Sequence, residues 1–329
     1  MKVLVTGGAG FIGGVTVRDL LKAGFEVSVF DNLECGHQST IPANVPFVKG
    51  DLRDYGEINK ALSTEKYDAV LHFAAFTIVP ESVEDPRKYF ENNVLASLNL
   101  MNAMIENNVK TLIFSSSAAV YGDPKEVPIN EDTPTSPANP YGQTKLTVEE
   151  YLKWYDAAYG LKSVSLRYFN AAGADLDNDL GEDREVETHL IPLVLHAASG
   201  KRKDVKIFGS DYPTKDGTCV RDYIHVKDLS GAHVLALQKL LSSRKSAVYN
   251  LGSESGFTVK EIVAASEKAV GKKINAVVSG RRAGDPPALI ASSRKIRSEL
   301  GWRQKHSVIE KIILDTWTWM QKHPRGYSS

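Results

Sequence analysis

The sequence predicts an α/β fold, a doubly wound parallel sheet with a second, smaller α/β domain, and three observations carry that expectation. Short apolar runs alternate with helix-period segments through the first half, as in parallel βαβ units whose strands are covered on both faces. A cluster of glycines follows the first apolar run directly and opens a helical pattern. Beyond Gly173 the alternation gives way to an acidic run, Asp175 to Glu187, and then to shorter, less regular elements.

Strands are expected at Lys2 to Thr6, Glu26 to Phe30, Pro46 to Lys49, Asp68 to Phe73, Thr111 to Ser115 and Ser163 to Tyr168. Helices fill the gaps over Phe11 to Ala23, Tyr55 to Leu62, Pro86 to Glu106 and Pro140 to about Tyr159. The last has a marked start: Asn139 caps free amides, and a proline at the first helical position gives up an N–H that has no partner there. Five prolines from Asp123 to Pro140 make the stretch before it a long irregular loop. The acidic run reads as a solvated loop, and no metal is expected because its spacing fits no calcium-loop template. Val226 to Leu241 reads as a helix and Ala247 to Leu251 as a strand returning to the first sheet. Thr258 with Glu261 and Ser307 with Glu310 both fit the capping box that opens a helix. Ile309, Ile312, Ile313, Trp317 and Met320 then recur at helical spacing, as a core stripe does.

The 329 residues are 42% hydrophobic and 24% charged, an ordinary globular balance long enough for two domains. Forty basic and forty acidic residues give a formal net charge of +0, so no global attraction to nucleic acid or anionic membrane is expected. No apolar run approaches the roughly 20 residues that span a bilayer. Val3-Leu4-Val5 runs straight into glycines, which argues against a secretory signal, and the two cysteines, Cys35 and Cys219, form no CxxC pair. The chain reads as cytoplasmic.

Gly7, Gly10 and Gly13 supply the first chemistry. Placed between a strand and a helix, they let the backbone approach a pyrophosphate while the helix N-terminus offers amides and partial positive charge, the Rossmann-type arrangement. Phe11 and Ile12 lie within that loop. Asp31 ends the second strand about 20 residues on, where a carboxylate accepts from ribose hydroxyls and repels a 2′-phosphate. With no Lys or Arg between Asp31 and Gly36, NAD is favoured over NADP. Asn32 follows, and Asp51 and Leu52 after the third strand are placed to meet the adenine, though a plain turn explains Asp51 as well. Phe73, Ala74 and Ala75 end the fourth strand with small residues that leave room for the cofactor. Residues 1–173, with 226–251 returning to them, therefore form the NAD-binding domain, and 174–329 the rest.

Tyr141 and Lys145 share one face of the Pro140 helix. An ammonium near a phenol favours the phenolate and lowers a pKa of about 10 toward that of a usable general base. Ser115, Ser116 and Ser117 end the fifth strand at the same sheet edge. A hydroxyl there either forms a turn or hydrogen-bonds the oxygen that loses its proton, and pairing with Tyr141 and Lys145 favours Ser117. Ala118 and Ala119 follow it, so the acid and base needed for dehydration are missing.

VTGGAGFIG from Val5, GDLRD from Gly50, HFAA from His72, ENNV from Glu91, FSSSAAVYG from Phe114, PYGQTK from Pro140 and LRYFNAAGA from Leu166 resemble the extended short-chain dehydrogenase/reductase family, and within it the sugar-nucleotide 4-epimerases. IFGSDYPTKDGTCVRDYIHVKDL from Ile207, YNLGS from Tyr249 and RRAGD from Arg281 continue the match. The resemblance implies NAD retained through turnover, a UDP-hexose substrate such as UDP-glucose or UDP-galactose, inversion of its carbon 4 through a 4-keto sugar, and a homodimer. It implies Tyr141 as base, Lys145 on the nicotinamide ribose and Ser117 on the 4-oxygen. Asn92, Ser115 and Tyr168 fall in its cofactor pocket, and Asn170, His189, Leu190, Phe208, Arg221, Arg282 and Asp285 at its UDP-sugar. On residue chemistry alone the two arginines serve equally as surface ion-pair residues. Thr77, His189 and Leu289 depart from the commoner family residues, which leaves one phosphate contact and the choice of sugar open.

Overall fold

Strands and helices alternate through the first half: β1 (Lys2–Thr6), α1 (Phe11–Lys22), β2 (Glu26–Asp31), β3 (Phe47–Lys49), α2 (Tyr55–Ser63) and β4 (Ala69–His72). There follow α3 (Val79–Glu84), α4 (Pro86–Tyr89), a π-helical turn Phe90–Leu95, α5 (Ala96–Glu106), β5 (Thr111–Ser117), α6 (Pro140–Tyr159) and β6 (Lys162–Tyr168). The second half holds β7 (Asn170–Ala172), α7 (Leu190–Ser199), β8 (Val205–Phe208), β9 (Val220–His225), α8 (Val226–Ser243) and β10 (Ala247–Leu251). It ends with β11 (Gly256–Thr258), α9 (Val259–Val270), β12 (Ala276–Ser279), β13 (Ala288–Leu289), α10 (Arg294–Leu300) and α11 (Ile309–Lys322). This computed structural model describes residues 1–282 and 285–327; Ala283 and Gly284 of the RRAGD stretch and the last two residues lie outside it.

Seven parallel strands form the central sheet in the order β10-β6-β5-β4-β1-β2-β3. The order reverses between β1 and β4, so the chain crosses to opposite faces on either side of that point and opens a crevice at the carboxyl ends of the strands. The period-2 alternation of each strand feeds both faces. Val3, Val5, Val27, Val29, Ala69 and Leu71 pack with Val17 and Leu20 of α1 and Leu229, Ala236 and Leu237 of α8. Leu4, Phe30, Val70, Leu112 and Phe114 point the other way, into Ile58 and Leu62 of α2, Leu100 and Met104 of α5, and Val148 and Leu152 of α6.

The smaller body has its own core, where Ile309, Ile312, Ile313 and Met320 of α11 meet Ile191 and Leu195 of α7 and Ile262 of α9. β9 runs through it, paired with β7, β11 and β13, while β8 pairs with β12. Among the described residues no helix is long and apolar enough to cross a membrane.

Four local expectations change. β5 runs two residues further, to Ser117, because Ser116 and Ser117 stay in register with Arg167 and Tyr168 of β6. The helical run from Pro86 is interrupted by the π-helical turn and preceded by α3, whose Ser82 hydroxyl accepts from the Tyr141 amide at 3.2 Å. Thr258 and Glu261 do form a capping box, but Ser307 does not cap α11: its hydroxyl donates to Asp228 at 2.7 Å and accepts from the His225 amide at 3.0 Å. The acidic run is solvated only in part: Asp177, Glu185 and Val186 are exposed, but other acidic residues are not. Asp175 is fully buried against Lys227 at 3.0 Å, and Glu182 is buried against Arg184 and His189, each at 2.8 Å.

Candidate active site

The glycine loop is built so that only glycine fits. Gly7 takes a φ of +73°, and a Cβ on it would sit 2.5 Å from the Ala74 amide at the end of β4. A Cβ on Gly13 would overlap the Gly7 carbonyl oxygen. Gly13→Ala should therefore displace the loop; we expect at least tenfold weaker NAD binding by titration and a lower melting temperature. Gly10 stands at the N-cap of α1 with no side-chain cap, which leaves the first amides of the helix for an anion. The Phe11 and Ile12 side chains pack on Val15, Leu180 and Val226, so these two residues have only their amides to offer there.

From this loop a groove runs along the sheet edge, lined by Asp31, Asn32, Asp51, Leu52, Phe73, Ala74, Ala75 and Asn92. Asp31 accepts from the Ala9 amide at 3.0 Å and the Leu33 amide at 2.9 Å; burial pushes its carboxyl up, and these bonds pull it back. Arg53, out of sequence from the others, donates to Asp51 at 2.5 Å and Glu34 at 2.8 Å. Its hydrogen bonds hold the Asp51 carboxyl below the usual range. Three carboxylates thus face this end with one arginine already committed to two of them, a wall that disfavours an added 2′-phosphate. Asn92 lies in the π-helical turn, an irregularity common at functional sites, and donates to Asn93 at 3.1 Å; Asn93 in turn donates to Thr144 of α6 at 3.2 Å.

At the other end α6 opens as its sequence suggests. The Asn139 side chain accepts from the Gly142 amide at 2.9 Å and Pro140 stands in the first turn, which fixes Tyr141 and Lys145 against β5. Tyr141 is buried with Phe76 and Tyr89, and Ser117 acts on its phenol from the end of β5, its own oxygen accepting from the Ala119 amide at 3.1 Å. Lys145 donates to the Ser115 carbonyl at 2.8 Å, and its nitrogen lies 5.9 Å from the centre of the Tyr141 ring. The electrostatics differ from the simple pairing read in the sequence. Burial raises the Tyr141 phenol, and it is Ser117 and Arg184, not Lys145, that pull it back. Burial also brings Lys145 down to about 7, with Glu149 opposing. Ser115 and Tyr168 hydrogen-bond each other at the ends of β5 and β6, outside the groove lining.

Sequence reasoning missed what stands behind this set. Glu149, one turn on from Lys145, accepts from Ser116 at 2.5 Å and from Arg167 at 2.5 and 2.9 Å; Arg167 continues to Tyr121 at 2.9 Å. Its i+4 spacing from Lys145 was the available signal. His72, at the end of β4, meets Thr6 at 2.7 Å and Ser97 at 2.9 Å. Since the Ser97 hydroxyl donates to the Asn93 carbonyl at 2.6 Å, this network assigns the His72 proton to Nε2. Burial and Lys145 bring His72 down to about 3, so it is neutral.

The candidate substrate residues fall on several elements of the second body, in separate local pairs. Arg221 on β9 pairs with Asp285, and the Arg282 guanidinium lies 3.8 Å from the centre of the Phe208 ring, a flat cationic face. Asn170 on β7 donates to the Asp222 carbonyl at 2.8 Å, and Leu289 is in register with Arg221 while packing on Ala118 and Phe169. Leu190 turns into the core of the second body, whereas His189 pairs with Glu182. Burial would lower the His189 imidazole, but Glu182 raises it. Glu182, Glu187 and His189 could together hold a cation, but Arg184 and His189 already occupy Glu182.

A Rossmann-type cofactor groove that leads to a buried Tyr-Lys-Ser set defines a nicotinamide-dinucleotide enzyme of the short-chain dehydrogenase/reductase kind. Residues 3–252 match the NAD dependent epimerase/dehydratase family, and the chain belongs to that family. It is 50% identical over 327 residues to a UDP-glucose 4-epimerase of Lacticaseibacillus casei, with 99% of each chain covered. A crystal structure of a UDP-glucose 4-epimerase superposes with a TM-score of 0.96 at 46% identity over the whole of both chains. The Bifidobacterium longum UDP-glucose 4-epimerase in complex with NAD+ and UDP gives 0.94 at 40% identity, covering 99% of this chain and 100% of its own.

Proposed function

We propose that this chain is an NAD-dependent 4-epimerase of UDP-hexoses that interconverts UDP-glucose and UDP-galactose. The observation that carries the reading is the buried Tyr141, with Lys145 beside it, packed on Phe76 at the end of a groove whose residues fit NAD. Gly7, Gly10 and Gly13 with the amides of α1 suit its diphosphate, Asp31 its adenosine ribose, and Ala74 and Ala75 give it room. Bound there, NAD would accept a hydride from carbon 4 and return it.

The residues of the chain do the rest. Tyr141 takes the proton from the 4-hydroxyl, Ser117 holds the 4-oxygen, and Lys145 orients the nicotinamide ribose while fixed to the Ser115 carbonyl. The same phenol returns the proton once the transient 4-keto sugar has turned over, so no external oxidant is consumed. Arg221, Arg282, Asn170 and Asp285 hold the UDP portion; guanidinium groups suit diphosphate oxygens. On this reading residues 1–173 with 226–251 are the cofactor domain and 174–329 the sugar-nucleotide domain. Exposed Leu95, Trp154 and Tyr159 on and beside α5 and α6 support a homodimer through that face, and the chain works in the cytoplasm.

The test is incubation with UDP-galactose without added NAD and separation of the products. UDP-glucose should appear until the two sugars reach equilibrium; its absence beside a working epimerase control would sink the assignment. UDP-N-acetylglucosamine, run alongside, reads the space that Leu289 leaves.

A further inference from the structure

We propose that Arg184, in the acidic run that follows β7, binds the diphosphate of the dinucleotide; the inference rests on the NAD reading above. Arg184 is partly buried, its side chain 28% exposed. Its Nε donates to Glu182 at 2.8 Å and one terminal nitrogen to Thr77 at 3.1 Å. A guanidinium carries five N–H groups, so these bonds leave a donor edge uncommitted and held rigidly.

That edge lies where the diphosphate must pass. Thr77 is two residues beyond Ala75 on one wall of the groove. On the other wall, Asp183, next to Arg184, meets His37 at 3.4 Å, one residue beyond Gly36, which packs on Ala9 of the glycine loop. The acidic run therefore bridges both walls at the level of that loop. The adenosine end, at Asp31 and Leu52, lies to one side and the catalytic end, at Tyr141, to the other. The Arg184 charge is felt at both, by Cys35 in the groove lining and by Tyr141 and Tyr168. A cation midway between the two ends of a dinucleotide faces its only strongly anionic part. Glu182 and Thr77 aim the guanidinium there, as a planar fork requires for bidentate phosphate contact.

Arg184→Gln and Arg184→Lys, made in the full chain and freed of endogenous nucleotide, are titrated with NAD, ADP and adenosine beside the parent. For the Gln variant the dissociation constants for NAD and ADP should each rise about tenfold or more, while that for adenosine changes less than about twofold. The Lys variant, which keeps the charge and loses the fork, should fall between. Unchanged NAD and ADP binding overturns the proposal, and so does an equal loss of adenosine, which would mean a loosened groove. Loss of NAD with ADP unaffected also overturns it, by moving the contact to the nicotinamide half. A parent chain that fails to bind NAD would overturn the cofactor reading itself, which separates the two failures.

Discussion

Tyr141→Phe is expected to lower kcat for UDP-galactose by about 10²–10⁴-fold, the usual worth of a positioned acid–base group, while KM changes less than about threefold. The substitution removes one oxygen and leaves the ring in its cluster with Phe76 and Tyr89. The UDP contacts proposed at Arg221 and Arg282 lie in the other body and should survive. Because burial raises the phenol, activity of the parent should climb with pH as the phenolate forms, and the residual activity of the variant should lack that limb. Steady-state kinetics across pH, on protein checked for equal NAD content, decide the matter. A variant that keeps a third of the parent turnover would falsify Tyr141 as the base.

What the sequence made legible, it made so through local signals. Apolar runs bounded by turns fix the strands, and the cap at Asn139 with Pro140 fixes the start of α6 to the residue. The glycine loop is legible because its backbone geometry is demanded within a few residues. The misreadings share a different cause, partners far away in the chain. Ser307 looked like a cap until Asp228, 79 residues earlier, claimed its hydroxyl. The run from Asp175 to Glu187 looked solvated because Lys227, the cation that meets Asp175, lies 52 residues on and joins it only in the folded chain. Arg184 itself meets Thr77 across 107 residues. Likewise the effect of Lys145 on Tyr141 was read from spacing, whereas burial, which spacing does not reveal, dominates both groups.

Removing the carboxylate of Glu149 should have the largest effect on stability. Arg167 and Glu149 are 8% and 3% exposed in their side chains, and burial alone would lower the guanidinium, yet Glu149 and Tyr121 hold it above its ordinary value. Glu149→Leu strands that charge in the core between β5, β6 and α6. Breaking one partner of a buried pair costs about 3–5 kcal/mol, whereas replacing both with apolar groups is often neutral or stabilising. Urea unfolding should therefore show the full loss in Glu149→Leu and a much smaller one in Glu149→Leu combined with Arg167→Leu. If the double variant is as unstable as the single, the cost lies in packing and not in the orphaned charge. The same carboxylate raises Lys145 against its burial. Without it the ammonium is lost at a lower pH, so the alkaline limb of activity should move toward acid in Glu149→Gln. That variant keeps the shape of Glu149 and a hydrogen-bonding oxygen for Ser116, so a shifted limb separates an electrostatic role behind Lys145 from a merely structural one.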